Sequence, residues 1–135
     1  MYTIHYSLTI KSSPQFIFEC LTEQQKLAVW FAPQVIAMPI QGTVAAFAFE
    51  FDLDFKMEIV TLKENELVEW RCIDGYKEWL GSQVKFLLKE TVKGEEVVLE
   101  FTHEQLKNEE KKEKTETSWI TFLNKLKREA EAREC

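Results

Sequence analysis

The stretch SWITFLNKLKREAE, residues 118–131, decides how the rest of the chain is read. Trp119, Phe122, Leu123 and Leu126 recur at i, i+3, i+4 and i+7, which places them on one face of a helix. Lys125, Lys127, Arg128 and Glu129 fall mostly on the other faces. Most of what precedes this stretch alternates with a period of two. An amphipathic helix that follows a run of strands must bury its apolar stripe against their sheet. If function lives in a cavity, the space between this helix and the sheet is the place for it.

Working outward, Tyr2, Ile4, Tyr6, Leu8 and Ile10 alternate with Thr3, His5, Ser7 and Thr9, the pattern of a half-buried strand with a wet outer face. Ser13-Pro14 is a helix start, with a hydroxyl able to accept from a free backbone N–H and a proline suited to the first helical position. Phe16, Ile17, Cys20 and Leu21 then form an apolar helical face. A second short helix is expected from Thr22 or Glu23 to Trp30, ended by Pro33. Val35 to Ile40 is a short edge strand, because Pro39 cannot join a ladder.

Five further strands follow. Ala45, Phe47, Phe49 and Phe51 share a face, with a tight turn at Asp52 to Asp54. Phe55, Met57, Ile59 and Thr61 share the next, then Val68, Trp70 and Cys72. Tyr76 to Leu80, including Trp79, is irregular. Val84, Phe86 and Leu88 face inward, Lys93-Gly94 makes a hairpin, and Val97, Leu99, Phe101 and His103 point to one side of the last strand. A spacing of about ten residues between strands predicts hairpins and an antiparallel sheet. Lys107 to Glu116 holds four Lys and four Glu and reads as a solvated link, either a loop or an extra turn before the last helix. The expected fold is α+β: a curved antiparallel sheet of about six to seven strands wrapped around a long C-terminal helix, with two short helices after the first strand.

The chain of 135 residues fits a single domain, residues 1–135. Its net charge of -6 speaks against a nucleic-acid binder, which needs a basic surface. No window is long enough for stable membrane insertion, and MYTIHYSLTI has no basic signal-peptide start. Three cysteines without CxxC spacing, Cys20, Cys72 and Cys135, suit a reducing cytoplasmic setting. No phosphate-binding glycine loop is present. His5 and His103, placed on separate strands, make no metal cluster, so neither metal nor cofactor is expected. A Cys72–His103 pair lacks an orienting third group, and no acid–base pair is visible, so the reading leans away from an enzyme and assigns no catalytic residue.

Ten Phe, four Trp and three Tyr are a heavy aromatic load. They can fill a core or line a cavity. The candidate pocket wall from the sheet is Phe47, Phe49, Met57, Trp70, Cys72, Phe86 and Phe101, with His103 as its one titratable member. Trp119, Phe122, Leu123 and Leu126 supply the helix side, and Trp30 and Trp79 the ends. His103 is either a structurally bonded histidine or a group that orients a ligand near a cavity mouth.

The run from Ser13-Pro14 through Trp30-Phe31, Trp70-Arg71-Cys72-Ile73-Asp74-Gly75 with Trp79, Phe101-Thr102-His103, and Trp119 with Leu123 and Leu126 carry a resemblance over nearly the full chain. The sequence resembles the START-like, or SRPBCC, helix-grip superfamily. Within it, the chain is similar to the branch named after the C-terminal domain of the activator of the 90-kDa heat-shock chaperone ATPase, in a form found among bacterial members. It departs from the branch in the Lys/Glu-rich segment 107–116 and in lacking a glycine after the last helix. The resemblance implies a carrier of a small hydrophobic molecule or lipid. Its alternatives are a protein-interaction module whose partner is a chaperone or another protein, and, behind both, a polyketide cyclase-like enzyme. It carries over no shared catalytic residue.

Overall fold

The computed structural model describes residues 1–49, 54–91 and 96–133. The expectations for Phe51, for the turn at Asp52, for the hairpin at Lys93-Gly94 and for Cys135 lie outside the described residues.

Strand β1 (Tyr2–Ile10) is followed by helices α1 (Pro14–Thr22) and α2 (Gln24–Trp30), then by strands β2 (Gln34–Ile36), β3 (Val44–Ala48), β4 (Asp54–Lys63), β5 (Leu67–Asp74), β6 (Gln83–Glu90) and β7 (Val97–Leu106). Helix α3 (Lys112–Ala132) closes the order. The strands form one antiparallel sheet in the order β1-β7-β6-β5-β4-β3-β2. The fold is the helix grip expected from the sequence.

The ends of the short helices are set locally. Ser13 Oγ accepts from the Phe16 N–H at 3.1 Å and caps α1. Glu23 is extended and breaks the path between α1 and α2. The Trp30 indole N–H donates to the Cys20 carbonyl at 2.8 Å and ties α2 back onto α1.

Four sequence expectations change. The edge strand expected over Val35 to Ile40 shrinks to Gln34–Ile36, because Pro39 cannot donate to a ladder. Thr61, expected on the inner face of β4, leaves it: a bulge between Ile59 and Thr61 shifts the pairing, so Leu62 comes opposite buried Val68. The irregular stretch at Tyr76 holds a 3-10 turn, Lys77–Trp79. The last helix starts at Lys112, six residues before the expected Ser118, so the second half of the charged segment is helical. Thr115 extends the buried stripe of Trp119, Leu123, Leu126 and Ala130 by one turn, which the Lys/Glu composition hides.

The absent glycine at the end of α3 is replaced by Arg133, whose φ of 57° is left-handed and whose N–H bonds back to the helix carbonyls. Its guanidinium lies 5.6 Å from the centre of the Phe16 ring, a contact that offsets part of the backbone strain.

Candidate functional site

The inward faces of the sheet and α3, with Trp30 from α2, Phe49 just past β3 and Trp79 from the 3-10 turn, bring all fourteen candidate residues together. Twelve are buried, and Phe49 and Phe122 are half-buried. The hub of the assembly is a residue the pocket reading passed over. Phe31, just past the end of α2, stacks on Trp119 (centroids 5.5 Å apart, planes at 10°) and meets Phe47, Phe49, Phe122 and Trp70. A phenylalanine in a helix-ending dipeptide has no periodicity to show that it points inward, so sequence pattern alone could not place it. Trp119 stacks equally on Trp79, at 5.9 Å and 13°. Offset stacks and edge-on contacts of this kind contribute about 0.5–1.5 kcal/mol each beyond the area they bury.

His103 is fully buried, on the inner face as its strand register requires. Its Nδ1 accepts from the Trp119 indole N–H at 3.0 Å, so the ring proton must sit on Nε2. Nε2 lies 2.8 Å from Ser82 Oγ and therefore donates to it. The Ser82 hydroxyl in turn donates to the Trp79 carbonyl. The chain of bonds links β7, α3, the turn at Trp79 and the start of β6, and it uses both ring nitrogens. Burial pushes the His103 pKa down to about 3, so the imidazole is neutral.

Ser82 was not among the candidates. A serine after a glycine turn reads as loop until the partner that buries it is known. Ser82 and His103 also do not act as a nucleophile and base, because the imidazole gives its proton to the serine and has no lone pair for it.

Cys72 and His103 are likewise not partnered. The Cys72 thiol points to the Asp74 carbonyl at 3.4 Å, and burial pushes its pKa up to about 11, away from the thiolate a nucleophile needs. Among the described residues no group of three or more His, Cys, Asp or Glu could hold a metal ion. No described helix is long and apolar enough to cross a membrane.

The aromatic side chains occupy most of the space between α3 and the sheet. Among the described residues a small, partly open void of about 10 Å³ lies where the α1–α2 junction (Leu21, Thr22, Leu27) faces Phe47, Ile59 and Trp70 of the sheet. That is roughly the room one water-sized sphere requires, ~10–15 Å³. Met38 and Pro39, from the segment between β2 and β3, are the exposed members of its lining. Larger concavities lie outside the interior. One of about 520 Å³ runs along the β2 edge between Gln24, Ala28, Pro33, Ile36 and Ala48. Another of about 180 Å³ lies outside Trp79, lined by Tyr76, Lys111 and Ser118 among others.

A family model described as activator of Hsp90 ATPase homolog 1-like protein matches residues 11–131. The chain belongs to that family. Proteins of solved structure share the whole fold. The "Aha1 dimer from Colwellia psychrerythraea" is 26% identical, with a TM-score of 0.87 and 97% of each chain covered. A protein of Mesorhizobium loti matches at 17% identity and a TM-score of 0.81, covering 94% of this chain and 95% of its own. One from Chromobacterium violaceum matches at 18% and 0.80, with 96% of each chain covered. The last two likenesses speak for the fold alone. A comparison with curated proteins gives no significant match.

Proposed function

We propose that this family member is a binding module for a small hydrophobic molecule, held in the interior between the helices and the concave face of the sheet. The observation that carries the reading is the unequal closure of that interior. Around Trp119 every ring and every polar atom of His103 is engaged, whereas at the α1–α2 end the packing stops short and leaves a void. The segment on its outer side is exposed, Met38 at 56% and Ile40 at 53%; both lie outside any strand, and their carbonyls are bonded locally by Thr43. A segment with few buried contacts opens at low free-energy cost. Binding would then enlarge a void already present by moving that segment, with the Trp119 cluster as fixed wall. Phe47 and Trp70 line the void directly, while Trp30, Phe86, Phe101 and Leu123 back the wall. Among the described residues the interior offers no acid–base pair, which favours holding over turnover.

Native mass spectrometry of gently purified protein, with a thermal-shift survey of lipids and small aromatics, tests this reading. Co-purified mass, or a rise in melting temperature for an apolar compound, supports it. Neither, over the whole set, removes it.

A protein-interaction module is the second reading, and a different observation favours it. From Phe31 to Phe49 the chain carries no charged residue, in a protein that is 30% charged overall. Ile36, Met38, Ile40 and Val44 of this run are exposed. Edge strands are usually guarded by charge. The Colwellia relative is described as a dimer, which suggests that such an edge meets another protein chain. Ile36→Lys separates the readings: under this one it weakens self-association in sedimentation velocity, and under the first it leaves ligand binding unchanged.

A further inference from the structure

Trp70 carries a buried donor with nothing to donate to. The residue is 1% exposed, and its indole N–H has no acceptor. Burying such a donor unpaired is costly, so it calls for an explanation. Two other tryptophans of the interior are satisfied: Trp30 by the Cys20 carbonyl at 2.8 Å and Trp119 by His103 at 3.0 Å. The unpaired hydroxyls of Tyr2, Ser12 and Thr91 do not border the void beside α1 and α2, whereas Trp70 is part of its wall.

The rest of that wall fixes the chemistry of what would pair with Trp70. No described lining residue is charged. A carboxylate or phosphate there would be desolvated with no counter-charge, which is prohibitive. The one other polar side chain, Thr22, already gives its hydroxyl proton to the Phe18 carbonyl at 2.9 Å and has no second donor to offer. Among its described side chains the wall therefore supplies a single free hydrogen-bond donor in an apolar setting.

We infer that Trp70 is the polar recognition point of the interior, and that it selects uncharged apolar molecules bearing one carbonyl oxygen, which accepts from the indole N–H. The inference rests on the hydrophobic-binding reading and adds to it a place and a class of ligand. It also moves the polar contact away from His103, whose two nitrogens are already engaged, to the opposite end of the cavity. Entry is by displacement of Met38 and Pro39, the exposed members of the lining.

Acetophenone and ethylbenzene make a suitable pair of probes, being nearly the same size and differing by the carbonyl. The protein is labelled with 15N at its tryptophan indoles, the four resonances are assigned, and each probe is titrated separately. Acetophenone is expected to move the Trp70 indole proton downfield, as a new hydrogen bond does, and ethylbenzene is not. In Trp70→Phe the ratio of acetophenone to ethylbenzene affinity should fall roughly five-fold, the worth of one hydrogen bond. The ratio cancels the different hydration of the two probes, and the wild-type titration stands even if the variant fails to fold. Both probes binding inside with the Trp70 resonance unmoved would overturn the assignment and leave the binding reading intact. So would an indole proton already at a hydrogen-bonded position before any probe is added. Neither probe perturbing any interior resonance would overturn the binding reading, and this inference with it.

Discussion

Trp119 donates its indole N–H to Nδ1 of His103 across 3.0 Å, joining the first half of α3 to β7. The bond does more than hold two elements together. It fixes which nitrogen of His103 carries the proton, and so directs Nε2–H to Ser82 and the Ser82 hydroxyl to the Trp79 carbonyl. One end of the interior is thereby locked as a scaffold, and any adaptable part must lie elsewhere.

Replacing His103 by Phe should lower stability. It would leave the Trp119 indole N–H buried without an acceptor and take the Nε2–H partner from Ser82. Stranding a buried donor costs about 1–3 kcal/mol. Urea unfolding at neutral pH should show a lower midpoint with an unchanged slope. A stability within about 0.5 kcal/mol of wild type would mean that the network contributes little.

The depressed pKa of His103 predicts an acid-sensitive term. Folding holds the imidazole neutral down to about pH 3, whereas the unfolded chain takes up a proton near its ordinary value of 6.5. The unfolded state therefore binds more protons between these values, and stability falls as pH drops through that window. The loss approaches about 1.4 kcal/mol per pH unit well below pH 6.5. Unfolding curves from pH 7 to pH 4 should be steeper in pH for the wild type than for His103→Phe. Parallel dependence in the two proteins would show that His103 titrates normally in the fold.

Leu123 has no exposed surface on the stripe of α3 that faces the sheet. Leu123→Ala should cost about 2–5 kcal/mol. Chemical denaturation checks the value, and a loss below about 0.5 kcal/mol would place the wrong face of the helix inward.

The parts of this fold that were legible in the sequence are those governed by a regular period. The alternation through Val97, Leu99, Phe101 and His103 placed the imidazole on the inner face, and the spacing of Trp119, Leu123 and Leu126 placed the buried stripe. Departures occurred where one residue breaks the period. The bulge at Ile59 and Thr61 cannot be seen in composition, because an inserted residue looks like any other until its partner strand is paired. Gln105 adopts a left-handed φ of 63° and likewise resets the end of β7, so that Leu106 turns back into the core. In the site, the aromatic wall was legible and its connections were not. Phe31, Ser82 and the unpaired N–H of Trp70 take their meaning from residues distant in sequence.

The segment 107–116 should divide sharply in amide exchange. Residues 107–111 precede α3 and bury no side chain, so exchange there should be fast. From Glu116 onward the amides bond to carbonyls within α3, and Thr115 packs inward, so protection should rise within one turn. Uniform fast exchange up to Ser118 would favour the loop over the extra helical turn, the two alternatives that the charge pattern leaves open.

The most direct test of the binding account is a map of where a small apolar molecule sits. Intermolecular NOEs between ethylbenzene and protein methyl groups, recorded on the full chain, supply it. The account predicts NOEs to Leu27, Met38, Ile59 and Leu62, which line the void beside Trp70. NOEs confined to Ile36 and Val44 on the outer edge, or none at all at saturating ethylbenzene, would contradict it.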